Sequence, residues 1–139
     1  MIVVVIIGLL AALALPAFQR VHRNAQVSRA ANDLRVFAQA FETYATEHGG
    51  WPPNAGAGVV PPALAGDLKV GTWRADTAIG GRWNWDRANF GFAAGISIVN
   101  FTVPDAQLEQ IDARIDDGNL STGLFQKISA NRVTLILEP

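Results

Sequence analysis

The sequence predicts an α+β fold in which one long N-terminal helix packs on a small antiparallel β-sheet of about four strands. Residues 1–15 contain no polar or charged side chain, and neither glycine nor proline interrupts residues 17–48. Gly49, Gly50, Pro52 and Pro53 then provide a strong stop signal. Short segments with strand-like alternation occupy the C-terminal part of the chain.

The long helix divides near Pro16 into two parts with different side chains. Residues 1–16 are apolar on every side, which is typical of a transmembrane segment or of the core of a filament. Pro16 lacks a backbone donor, so we expect a kink or local break near it. Residues 17–48 are amphipathic, with apolar residues spaced three and four apart. The apolar stripe comprises Val27, Ala31, Leu34, Phe37, Ala38, Phe41, Tyr44 and Ala45.

The rest of the chain contains a loop followed by the sheet. Residues 49–80 are rich in proline, glycine and alanine, and we predict an irregular loop with a short helical turn near 62–68. Residues 81–139 form the antiparallel sheet with a short helix near 104–116. The first hairpin pairs strands at 82–86 and 95–102, and the second pairs 124–128 with 132–138. Core-facing side chains of the last strand are Val133, Leu135 and Leu137.

Composition argues against an enzyme and against nucleic-acid binding. The net charge is −1, so no overall positive field favours a nucleic acid. The chain has no cysteine, which excludes disulfides and thiolate metal sites. His22 and His48 are isolated, and no hydrolase, metalloprotease or phosphate-loop motif is present. We therefore predict no catalytic residues and no bound cofactor, with calcium as the one open possibility.

That possibility comes from an acidic cluster at the end of the predicted C-terminal helix. Asp112, Asp116, Asp117 and Asn119 offer the oxygen ligands that Ca²⁺ prefers. The spacing of an EF-hand is absent, and Asp117, Gly118 and Asn119 are also ordinary turn residues. The candidate metal ligands are therefore Asp116, Asp117 and Asn119, with a solvated turn as the alternative.

Four tryptophans in a chain of this length allow two interpretations. Trp83 and Trp85 share one face of a strand, and with Trp73 they could form a platform that stacks on a partner or a sugar. Alternatively, the same side chains fill the space between the sheet and the loop.

The apolar N-terminal segment has nothing in this chain to pack on, so it requires a membrane, identical neighbours, or both. It could instead be a cleaved secretory signal, with a site near Ala12 and Ala14, or a simple anchor of a monomeric protein. Arg20 and Arg23 follow the apolar segment, and the positive-inside rule would place that end in the cytoplasm. At fifteen residues the segment is shorter than the ~20 needed to span a bilayer, and we expect further residues ahead of Met1.

Residues 1–18 closely resemble the N-terminal helix of type IV pilins and type II secretion pseudopilins. The resemblance rests on the run that begins at Gly8, on Pro16 at its characteristic distance after Gly8, and on Phe18 two residues later. The helix that ends before Gly49 also fits this family. Beyond about residue 53 the similarity is one of architecture only.

The resemblance implies a bacterial filament subunit, most closely a type II secretion pseudopilin-like protein. Such proteins are made with a leader that a prepilin peptidase removes, span the inner membrane once, and carry their globular part in the periplasm or outside the cell. They then assemble with other pilin-like subunits through the helix. The alternative is a secreted tryptophan-bearing binding domain with a cleaved signal. The implied membrane and filament-core residues are Ile2, Val5, Ile6, Gly8, Leu9, Leu10, Leu13 and Pro16.

Overall fold

A single helix accounts for a third of the chain and leads into a four-stranded sheet. The computed structural model describes residues 1–139. Helix α1 is followed by a 3-10 turn at Pro62–Leu64 and by the short helix α2. The bounds are α1 Ile2–His48, α2 Val70–Arg74, β1 Arg82–Asn89, β2 Phe92–Val99, α3 Asp105–Ile115, β3 Phe125–Ser129 and β4 Arg132–Glu138.

Helix α1 is continuous through Pro16, so the local break considered from the sequence does not occur. Proline has no N–H, and the carbonyl of Ala12 therefore lacks its usual partner one turn later. The helix ends as predicted. Gly49 adopts a left-handed conformation with φ 71°, and its N–H and that of Gly50 both donate to the carbonyl of Ala45.

The sheet is antiparallel throughout, with the order β1-β2-β4-β3. Helix α3 connects the two hairpins and packs against α1. The first hairpin differs in position from the prediction, because β2 begins at Phe92 and the turn consists only of Phe90 and Gly91. Both turn residues have positive φ, at 54° and 91°. This two-residue turn sets Trp83 opposite Ile98 and Trp85 opposite Ile96.

An aromatic cluster joins α1 to the sheet. Phe37 makes edge contacts with Trp73 and Trp83, with ring centroids 5.0 and 4.9 Å apart. Phe41 stacks on Trp85 with centroids 3.9 Å apart. All five side chains are fully buried. Around them the core is completed by aliphatic residues from the helix and the sheet, including Val27, Leu34, Ile96, Ile98, Leu108, Ile111 and Val133.

The segment between α1 and β1 is irregular, as predicted, but tryptophans hold it in place. The Nε1–H of Trp85 donates to the carbonyl of Pro52 at 3.1 Å, and that of Trp73 donates to Val59 at 2.9 Å. The amides of Ala55 and Gly58 donate to carbonyls of β1, so the segment also covers the free edge of the sheet. Helix α2 was not predicted from the sequence; it has only five residues and places Trp73 in the core.

On the opposite face the sheet carries a polar network. Asp86 is buried and forms an ion pair with Arg132. Ser97 donates to Asp86, and its hydroxyl also lies 2.7 Å from that of Thr134. The ring of Phe90 covers the guanidinium of Arg132 at 4.6 Å. A buried charge is tolerated here because it is paired and hydrogen-bonded.

The aromatic cluster yields a stability prediction. Phe41→Ala should lower the free energy of unfolding by about 3–5 kcal/mol, because the ring is fully buried and its removal leaves a cavity against Trp85. Phe18→Ala is the matched control, since Phe18 lies on the same helix and is 70% exposed. Denaturant unfolding in detergent measures both. Equal effects of the two substitutions would contradict the packing described.

Candidate functional site

The N-terminal half of α1 is an apolar surface that the rest of the chain leaves uncovered. Between Ile2 and Leu15 the large apolar side chains are 51% to 77% exposed. Phe18 and Val21 continue the exposed series, and burial against the sheet begins only at Val27. All the predicted membrane and filament-core residues lie on this projecting half: Ile2, Val5, Ile6, Gly8, Leu9, Leu10, Leu13 and Pro16.

The projecting half is longer than the fifteen apolar residues read from the sequence. Because α1 continues through Pro16, Ala17 and Phe18 extend the uncharged segment before Gln19. From Ile2 to Phe18 the helix rises roughly 25 Å, near the lower limit for crossing a bilayer. Helix α1 contains an 18-residue window that is long and apolar enough to cross a membrane, and none of that window is buried in the protein.

Gly8 has no structural explanation within this chain. A Cβ atom added there would meet nothing within 4 Å. Glycine inside a helix costs about 1 kcal/mol relative to alanine, so the fold alone would favour a different residue. Small residues on apolar helices allow the backbone of a neighbouring helix to approach closely. Gly8 therefore suits contact with another helix better than it suits the isolated chain.

Of the two interpretations of the tryptophans, the structure supports packing inside the core and excludes the platform. Trp73, Trp83 and Trp85 are completely buried and face α1, so none is available to stack on a partner. The alternation that places Trp83 and Trp85 on one strand face was correctly interpreted. An amphipathic helix with Phe37 and Phe41 covers that face, and carbonyls of the irregular segment accept hydrogen bonds from two of the indole N–H groups.

The acidic cluster forms a compact loop after α3. Carboxylate oxygens of Asp112, Asp116 and Asp117 all lie within 4.8 Å of one another. Asp112 is completely buried, and neither of its carboxylate oxygens has a hydrogen-bond partner. Asp116 accepts from the amide of Leu124, which ties the cluster to the start of β3. Three carboxylates thus converge at one point, and one of them is buried.

Two of these carboxyls have shifted pKa values. Burial, together with the neighbouring Asp117 and Asp116 charges, raises the pKa of Asp112 above its ordinary value. Hydrogen bonds from the hydroxyl of Thr122 and the amide of Asn119 lower the pKa of Asp117. The cluster therefore places a carboxyl that resists ionisation beside one that ionises easily.

The structure changes the set of candidate metal ligands. Asn119 accepts from the amide of Ser121 at 3.1 Å, and Asp116 and Asp117 likewise accept from backbone amides of the same loop. Asp112 joins Asp116 and Asp117 in the group of converging carboxylates. Only the fold reveals this, because the burial of Asp112 depends on the packing of α3 against α1. The two histidines stay apart from the cluster, His22 near Phe18 and His48 against Tyr44.

Comparisons with known proteins agree on one family. No protein-family model matches the chain. It is 48% identical over 63 residues to type IV major pilin protein PilE1 of Neisseria gonorrhoeae, covering 45% of this chain and 29% of that protein. It is 47% identical over 70 residues to a fimbrial protein of Neisseria meningitidis serogroup A, covering 50% and 39%. The chain thus spans well under half the length of these curated relatives.

A solved structure extends the likeness to the whole fold. The major type IV pilin PilA1 from Clostridium difficile superposes with a TM-score of 0.62, covering 86% of this chain and 98% of that one. Sequence identity is only 14%, so this likeness shows the fold. The resemblance inferred from Gly8, Pro16 and Phe18 is confirmed. The chain is therefore similar in sequence to type IV pilins over about half its length, and it has the fold of a type IV pilin.

Proposed function

We propose that this protein is a structural subunit of a type IV pilin-like filament, held in the bacterial inner membrane before assembly. One observation carries the proposal: residues 2–18 of α1 have no charged side chain and are exposed, whereas one face of residues 27–48 is buried against the rest of the chain. An exposed apolar surface of this length requires lipid or the helices of neighbouring subunits. Gly8, unexplained by the fold, supports helix–helix contact.

The structure disfavours the two alternatives. A secreted tryptophan-bearing binding domain would need exposed indoles, and the candidate tryptophans are buried. A signal cut near Ala14 would fall in the middle of a continuous helix. A simple membrane anchor would suffice for a monomer, but it would not explain why position 8 is a glycine, where a side chain would meet nothing in this chain. We also propose that a prepilin peptidase processes a leader upstream of Met1.

The choice between a pilus and a secretion pseudopilus is a finer question. The sequence favours a type II secretion pseudopilin-like protein, and that assignment stays a prediction. The relatives named above are pilins, which supports a pilus subunit instead. Deletion of the gene separates the two: loss of surface filaments with normal protein export supports the pilus, and loss of export supports the pseudopilus.

Replacing Leu9, Leu10 and Leu13 together with Asp tests the main proposal. Each charge near the centre of a bilayer costs about 2.5–3.5 kcal/mol on insertion scales, so the variant should leave the membrane fraction and form no filaments. Its globular part should keep its thermal midpoint, because none of the three side chains touches the core. Membrane fractionation, electron microscopy and near-ultraviolet circular dichroism provide the readouts.

The matched control replaces the same three leucines with isoleucine, which keeps the apolar area and adds no charge. This control should stay in the membrane. Assembly of the Asp variant at the wild-type level would contradict the proposal that the apolar part of α1 mediates membrane insertion and assembly.

We further propose that Asp112, Asp116 and Asp117 bind Ca²⁺. The supporting observation is the buried carboxylate of Asp112, which has no partner and lies with two other carboxylates around one point. An unpaired buried charge is costly, and a divalent cation would compensate it. Carboxylate oxygens are the ligands that Ca²⁺ takes, with further positions filled by backbone carbonyls or water. The bound ion would join the end of α3 to the start of β3.

Asp112→Asn should shift the thermal midpoint in opposite directions in the presence and in the absence of calcium. In EDTA the substitution should raise the thermal midpoint of the full chain, because it deletes an uncompensated charge. At saturating Ca²⁺ it should lower the midpoint relative to wild type, because binding stabilises the native state by about 2.7 kcal/mol at a hundredfold excess over the dissociation constant.

Asp67→Asn, at an exposed position outside the cluster, serves as the control and should show no calcium dependence of its own. Identical wild-type midpoints in Ca²⁺ and EDTA would refute the site.

A further inference from the structure

A polar concavity lies where α1 leaves its apolar segment and meets the globular part. It has a volume of about 310 Å³ and is lined by Pro16, Gln19, Arg20, Arg23, Asn24 and Gln110. Five of these residues belong to one face of α1, and Gln110 comes from α3. No carboxylate lines it. The concavity therefore presents two guanidinium groups and several amide groups, all of which can donate hydrogen bonds.

Arg20 and Arg23 are unpaired in this structure. Both are exposed, and neither belongs to any of the four ion pairs, which involve Arg29, Arg82, Lys127 and Arg132. They lie three residues apart, so they share one face of the helix. Two unpaired guanidinium groups on one face form a site for a phosphate, since arginine matches phosphate oxygens with a planar fork of donors.

The position of the pair indicates what kind of phosphate it would meet. The uncharged segment ends at Phe18, and Arg20 and Arg23 lie one to two turns beyond it. With residues 2–18 in the hydrocarbon, whose thickness is roughly 30 Å, both arginines are at the level of the lipid headgroups. Under the proposed function the globular part lies outside the cytoplasm. The positive-inside rule disfavours arginines there, so their presence suggests a role at that surface.

We propose that this concavity, from Arg20 and Arg23 to Gln110, binds the phosphate headgroup of an anionic phospholipid while the subunit waits in the membrane. The inference rests on the membrane anchoring proposed above. Arg20 and Arg23 bind the phosphodiester, and the amide of Gln110 is placed to contact the polar head beyond it. Because Gln110 belongs to α3, the bound lipid also fixes the distance between the globular part and the membrane surface.

Native mass spectrometry of the full chain released from mixed nanodiscs tests this. The probes are phosphatidylglycerol and phosphatidylcholine in equal amounts. Wild type should retain phosphatidylglycerol preferentially, and Arg20→Gln with Arg23→Gln should lose this preference. Each arginine is expected to contribute about fivefold at low salt, from the ~1 kcal/mol typical of a basic residue near an anionic surface.

Arg74→Gln with Arg87→Gln removes the same charge from exposed positions on the globular part and should leave the preference intact. Retained preference in the Arg20, Arg23 variant overturns the inference. So does displacement of phosphatidylglycerol by millimolar inorganic phosphate, which would identify a site for a soluble anion. A subunit that inserts normally but shows no lipid preference overturns this inference and leaves the anchor standing. Failure of wild type to insert contradicts the proposed anchoring as well.

Discussion

The contact between the second half of α1 and the sheet is made chiefly by aromatic rings, and the rest of the fold depends on it. Phe41 stacks on Trp85, and Phe37 fits between Trp73 and Trp83. The indoles of Trp73 and Trp85 also donate hydrogen bonds to the irregular segment, so the helix–sheet contact holds that segment in place. Helix, loop and sheet therefore share one core, and a cavity at Phe41 would affect all three.

In this arrangement the two parts of α1 have different surroundings. Beyond residue 26 its apolar stripe is covered by its own sheet, and before that point no side chain of the helix is buried. A polypeptide that exposes so much apolar surface is incomplete as an isolated molecule. Gly8 and Pro16 both weaken an isolated helix, the first by backbone entropy and the second by a lost hydrogen bond. Such residues are reasonable where a neighbouring helix, rather than the chain itself, determines the packing.

Periodic features were predictable from the sequence, and features that depend on long-range packing were not. The spacing of Leu34 and Phe41 predicted the helix, and Gly49 predicted its end. Alternation of apolar and polar residues predicted both hairpins. The turn lies within the loop expected from the sequence, but the start of β2 was placed at residue 95 instead of Phe92, because Phe90 is an unusual residue for a tight positive-φ turn. For Trp83 the sequence left both a surface and a core position open, since alternation places residues on one face of a strand but does not show which face the helix covers.

The candidate acidic site was also only partly predictable from the sequence. Asp116 and Asp117 were recognisable as a cluster, but the decisive residue is Asp112, whose burial requires α3 to pack against α1. Asn119, a candidate ligand from the sequence, accepts a hydrogen bond from the amide of Ser121 in the same loop. Likewise, the concavity at Arg20 and Arg23 could not be predicted from the sequence, because Gln110 of α3 completes its lining.

The central claim is that the first half of α1 serves neighbours and lipid and contributes nothing to the folding of the remainder. Thermal and denaturant unfolding of a chain that begins at Asn24 tests it most directly. It should unfold in one cooperative transition, with a free energy within about 1 kcal/mol of the full chain in detergent. It should also be monomeric in water. Loss of the cooperative transition, or a loss of several kcal/mol, would show that the projecting half stabilises its own globular part and would contradict the account.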